Sequence, residues 1–152
     1  MSNKAASRLK PYASFKEFYP FYLNQHEKPL TKLLHFLGTT CALIITLCEP
    51  TLLIAKAIGL FLGAASFVLF RHLDSGLPEM AIMILSYLLI GCVLSGSAWL
   101  TFLLPISAYS FAWIAHFFVE GNRPATFVYP SYSLMGDLMM FYEVLLGRHA
   151  VW

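Results

Sequence analysis

The sequence predicts an all-α integral membrane protein of about four transmembrane helices, with an interfacial helix at the amino-terminal end and another at the carboxy-terminal end. Three observations carry that expectation. Of the 152 residues, 59% are hydrophobic and only 12% charged, with a mean hydropathy of +0.68, whereas soluble domains carry roughly 25% charged residues. Apolar runs, most of them near the length a bilayer requires, alternate with short stretches rich in proline, glycine and charge. The segments flanking those runs are aromatic, as is common at headgroup depth. The length fits a single domain, 1–152.

The net charge of +2 is too small to imply a nucleic-acid partner. Cys41, Cys48 and Cys92 all fall in apolar runs and read as small buried hydrophobes, not as a disulfide or zinc set.

Residues 1–13 are a basic lead, expected to be mobile. No apolar stretch follows MSNKAASRLK directly, so no cleavable signal peptide is expected. Residues 14–28 predict an interfacial helix: Ser14 with Glu17 forms a capping-box pattern, Phe15, Phe18, Tyr19, Phe21 and Tyr22 supply aromatic surface, and Pro20 bends it. An ordinary aromatic core helix is the alternative. Four spans are expected within 30–119. The first runs from about Leu30 to Cys48, after a break at Pro29 that pushes Lys28 out of helical angles. Glu49–Pro50 makes the far turn. The second runs from about Leu52 to Phe70, and LDSGLP (Leu73–Pro78) is a loop. The third covers about Glu79 to Leu103. A reversal at Pro105 leads into a short fourth, Ile106 to Val119. Residues 125–147 predict an interfacial or half-buried helix, apolar but carrying Asp137 and Glu143, that stops at Gly147.

Four spans return the chain to its starting side. Lys4, Arg8, Lys10, Lys16, Lys28, Lys32, Arg71, Arg123 and Arg148 then share one side, which the positive-inside rule makes cytoplasmic. All five histidines, His26, His35, His72, His116 and His149, fall there too. His26 and His35 are nine residues apart and would point to opposite faces of an unbroken helix. The break at Pro29 lets them converge. His116 and Glu120 share a helix face at the end of the fourth span.

Convergent neutral imidazoles suit iron, zinc, copper or nickel. The expected ligands are His26, His35 and His116, with Glu120 as a fourth ligand or as a group that orients one. The bland reading is that these are helix-end histidines bonded to backbone or headgroups. Asn122 and Arg123 beside the site suit a carboxylate, since a guanidinium binds one through two hydrogen bonds. On charge alone Arg123 is equally a flanking interfacial arginine. Asp137 pairs with Arg123, caps its own helix or binds nothing.

FYPFYLNQHEKPLTKLLHFLGT (18–39) resembles the amino-terminal motif of the membrane family of 2-hydroxy fatty acid dioxygenases. WIAHFFVEGNRPATFVYPSYSLMGDLMMFYE (113–143) resembles the short, bacterial-type version of its carboxy-terminal motif. The resemblance implies Fe(II)-dependent α-oxidation, in which O2 is used to shorten a 2-hydroxy fatty acid by one carbon. It places the functional histidines on His26, His35 and His116 and matches Glu120 to the motif glutamate. It also implies an integral membrane location, the inner membrane in bacteria or the endoplasmic reticulum in eukaryotes. Two other functions fit the polar residues: a haem-binding electron carrier and a non-catalytic scaffold or channel.

Overall fold

The computed structural model describes residues 10–149; residues 1–9, which include Lys4, Arg8 and most of the basic lead, lie outside the described residues. Six α-helices follow in order: α1 Phe15–Asn24, α2 Pro29–Cys48, α3 Thr51–Phe70, α4 Leu77–Ser95, α5 Ala98–Ile114 and α6 Pro130–Leu145. α5 runs on into a π-helical segment, Ala115–Glu120, and a 3-10 turn, Ala125–Phe127, precedes α6. The described residues contain no strand. α2, α3, α4 and the continuous stretch Ala98–Glu120 are each long and apolar enough to cross a membrane.

The four crossings pack as two close pairs, α2 with α5 and α3 with α4. Small residues allow the close approach: a Cβ at Gly59 on α3 would sit 2.8 Å from the carbonyl oxygen of Met83 on α4. Their outer faces are strongly apolar. Leu47, Phe61, Leu89 and Val93 are all at least 70% exposed, a surface suited to lipid and not to water.

The far turn falls where the sequence puts it, at Glu49–Pro50. The reversal expected at Pro105 is a correction: the chain turns at Gly96 and Ser97, and Pro105 lies inside α5. Gly96 takes a left-handed φ of 63°, and the Ser97 side chain caps α5 by accepting from the Leu100 amide. The helix survives its proline because the freed acceptor is satisfied. Pro105 has no N–H to give Thr101 four residues earlier, and the buried Tyr87 hydroxyl donates to the Thr101 carbonyl at 3.0 Å instead. The last crossing is therefore 23 residues long, Ala98–Glu120, and the shortness expected of it disappears.

Ser14 caps α1 as the pattern suggested, accepting from Glu17 N–H at 3.3 Å. The helix is more than an interfacial one. Phe18 and Tyr22 are fully or almost fully buried in a cluster with Phe67, Tyr129 and Met140, which clamps α1 onto α6. α6 in turn packs against α2, α3 and α4. A buried pair, Lys10 with Glu79 at 3.6 Å, fixes the start of the described chain to α4, and Glu79 also accepts from the Ser131 amide at the head of α6. α1 and α6 thus close one end of the bundle, the end that carries the basic residues and the histidines.

Candidate metal centre

Pro29 opens α2 and forces Lys28 to an extended ψ of 136°. The chain bends between Gln25 and Lys28, so His26, just past α1, faces His35 on the second turn of α2. His116 arrives from α5. Its π-helical turn adds one residue to the helical circuit: the His116 carbonyl accepts from both Gly121 and Asn122 amides, at 2.8 and 3.0 Å. Gly121 ends the segment with a φ of 73°.

The three rings meet. Their centroids are 4.4 Å (His26–His35), 4.7 Å (His26–His116) and 5.2 Å (His35–His116) apart. One nitrogen from each lies within 4.8 Å of the other two, and all three residues are buried. Each Nδ1 faces an oxygen that can only accept, so Nδ1 carries the proton and Nε2 keeps its lone pair. His26 Nδ1 donates to the Tyr22 carbonyl at 2.7 Å, His35 Nδ1 to Asp137 Oδ1 at 2.6 Å, and His116 Nδ1 to Asn122 Oδ1 at 2.6 Å. The Asn122 amide is oriented by its other end, which donates to the Gln25 carbonyl at 3.0 Å. Nε2 of His26 and of His35 is buried with no hydrogen-bond partner. Buried acceptors are normally paired, and with their nitrogens this close together the three histidines could hold a metal ion. Burial and the neighbouring His35 push His26 down to about 3, which keeps it a neutral donor at physiological pH.

Asp137 joins this set from α6, and the sequence had left its role open. Burial alone would raise its carboxyl. The adjacent His35 and the hydrogen bonds from His35 and Tyr22 outweigh that and hold it below the ordinary aspartate value. The Tyr22 hydroxyl donates to the same oxygen, and burial beside that carboxylate pushes the phenol well above its usual range. Gly136 makes the arrangement possible: a Cβ there would lie 2.9 Å from the Tyr22 ring. A carboxylate behind a ligand histidine fixes its tautomer and strengthens it as a donor. The available sequence signals were Tyr22, one helical turn before His26, and the Gly136–Asp137 pair.

The other expected site residues have partners of their own. Glu120 Oε1 accepts from the Lys28 amide at 2.8 Å, one of the free donors at the start of α2. Asn122 is bonded to His116 and Gln25. Arg123 is exposed and lies over the Phe127 ring, 5.0 Å from its centroid. His149 bonds Glu143 at 2.9 Å.

A cavity of about 120 Å³, lined by His35, His116, Tyr22 and Asp137 among others, lies between the helix pairs and is walled mostly by apolar side chains. A set of buried imidazoles beside an apolar cavity inside a four-crossing helical bundle defines a class: a helical membrane protein whose three clustered histidines could hold a metal ion. The family model for 2-hydroxy-palmitic acid dioxygenase Mpo1-like proteins matches residues 12–149, and the chain belongs to that family. No curated protein and no solved structure matches it significantly.

Proposed function

We propose that the protein is an Fe(II)-dependent dioxygenase that shortens a 2-hydroxy fatty acid by one carbon, with its site at the cytoplasmic edge of a bacterial inner membrane, or of the endoplasmic reticulum in a eukaryotic cell. The observation that carries this reading is the convergence of three imidazoles whose Nδ1 protons are all tied to oxygens while Nε2 is left for a metal. Held by His26, His35 and His116, iron(II) would supply the oxygen-activating chemistry.

The chain's own residues do the rest. Asp137, Asn122 and the Tyr22 carbonyl hold the three rings in one tautomer and one orientation. The cavity takes the acyl tail and keeps water from the reacting end. Glu120 ties the start of α2 to the end of the last crossing by accepting from the Lys28 amide. Arg123, exposed beside Phe127 at the edge of an outer groove between α4 and α5, is placed to draw a carboxylate from the interface. The basic end of the bundle supports a cytoplasmic orientation.

Haem ligation is less well served. A haem held between two imidazoles keeps their centroids about 6 Å apart, with metal–nitrogen bonds of about 2 Å, and every pair here is closer. Metal analysis of anaerobically purified protein, wild type beside His35→Ala and His116→Ala, tests the reading. Stoichiometric iron in the wild type and its loss in both variants is the expected result. Metal-free wild type overturns it, and zinc in place of iron would move the chemistry towards hydrolysis.

A further inference from the structure

The cavity continues well past the histidines. Lys56, on the second turn of α3, lines it at the opposite end from His35. Its Nζ donates to Thr46 Oγ1 at 2.8 Å, and no carboxylate lies within ion-pair distance of it among the described residues. A cation within a membrane crossing is costly and points to function. One bland account is that Lys56 merely reaches for the far interface along its own stem.

We infer that Lys56 is the floor of an acyl channel and sets the longest chain the site accepts. This rests on the reading that the histidines hold the ligand's head. His35 and Thr46 lie on the same helix, and the eleven residue steps from one to the other correspond to about 16 Å of rise, room for about a dozen extended carbons. Leu60, Met83 and Leu104 wall this length, and Tyr87 is held in the wall by its bond to Thr101. Each methylene buried along it raises affinity about fourfold. A longer chain must displace an ammonium from its hydrogen bond to Thr46 in an apolar setting, which is unfavourable. The gain therefore stops at Lys56, at a total length of about fourteen carbons.

The test is the affinity of the full-length protein in nanodiscs for straight-chain acids of about ten to twenty carbons, 2-hydroxylated and unsubstituted, measured by calorimetry. The wild type is expected to gain about fourfold per carbon and then level off near fourteen. Lys56→Met, which keeps the stem and removes the charge, is expected to move the break outward by two carbons or more. Leu60→Trp, which fills the channel, is expected to move it inward. Metal content should be unchanged in both variants. A wild-type profile without a break, or a break that Lys56→Met leaves in place, overturns the inference. A break shared by both acid series in a protein that carries no iron sustains the floor and removes the oxygenase reading instead.

Discussion

Asp137 and His35 are 102 residues apart in the chain and share a 2.6 Å hydrogen bond. It joins the last helix to the first crossing and fixes which nitrogen of His35 faces the centre. Asp137→Asn keeps the shape and removes the charge. Metal affinity is expected to fall about 10- to 100-fold, as for other outer partners of ligand histidines, with little change in helicity. Competition with a calibrated chelator, read beside circular dichroism, checks both halves.

Glu120 holds the amide of Lys28 at the start of α2. Glu120→Ala is expected to lower stability by about 1 kcal/mol, the usual cost of losing such a cap, while leaving iron content near the wild-type value. Thermal unfolding in detergent and metal analysis separate the outcomes. Lost iron with unchanged stability would make Glu120 a ligand.

The hydroxyl of Tyr87 stands in for the amide that Pro105 lacks. Tyr87→Phe leaves the Thr101 carbonyl unpaired inside a crossing and is expected to cost about 1–3 kcal/mol. Adding Pro105→Ala restores a helical donor and should recover most of the loss. A double variant no more stable than Tyr87→Phe alone would show that the tyrosine acts through packing.

At the tail, Glu143 accepts from the Tyr19 hydroxyl at 2.5 Å and pairs with His149. Burial works to raise its carboxyl, but these partners hold it below the ordinary value of 4.5. A carboxyl depressed in the folded state stabilises above its unfolded value, and that contribution is lost as pH falls through the folded one. The wild type should exceed Glu143→Gln by roughly 1 kcal/mol at neutral pH, and the gap should shrink below about pH 4.5. Unfolding midpoints across an acid series read it directly; a gap independent of pH would discount the charge.

The meeting of the three histidines was legible because proline leaves a strong mark. Pro29 must break the helix, and a break there is what His26 and His35 need in order to meet. The same rule misled at Pro105. A proline is tolerated inside a membrane helix where another group satisfies the carbonyl it abandons, and the partner here, Tyr87, comes from another crossing. Gly96, whose turn actually ends α4, looks like any other glycine in a membrane run until its φ is known. Asp137 stayed undecided for a related reason: which way α6 faces is set by Tyr22 packing on Gly136, a contact between segments more than a hundred residues apart. The stacking of Arg123 on Phe127 was not legible, because it depends on the 3-10 turn that follows, for which the local sequence has no clear signal.

The wide turn at the end of the last crossing absorbs one residue more than a regular helix holds. Phe118 is 84% exposed and makes no part of the centre, yet it is one of the residues that lengthen the circuit between His116 and Asn122. A residue added to a regular α-helix turns everything beyond it by about 100°; here the His116 carbonyl, bonded five residues on to Gly121, takes up that offset locally. The imidazole and the amide behind it therefore stay in register although the chain between them is one residue over length.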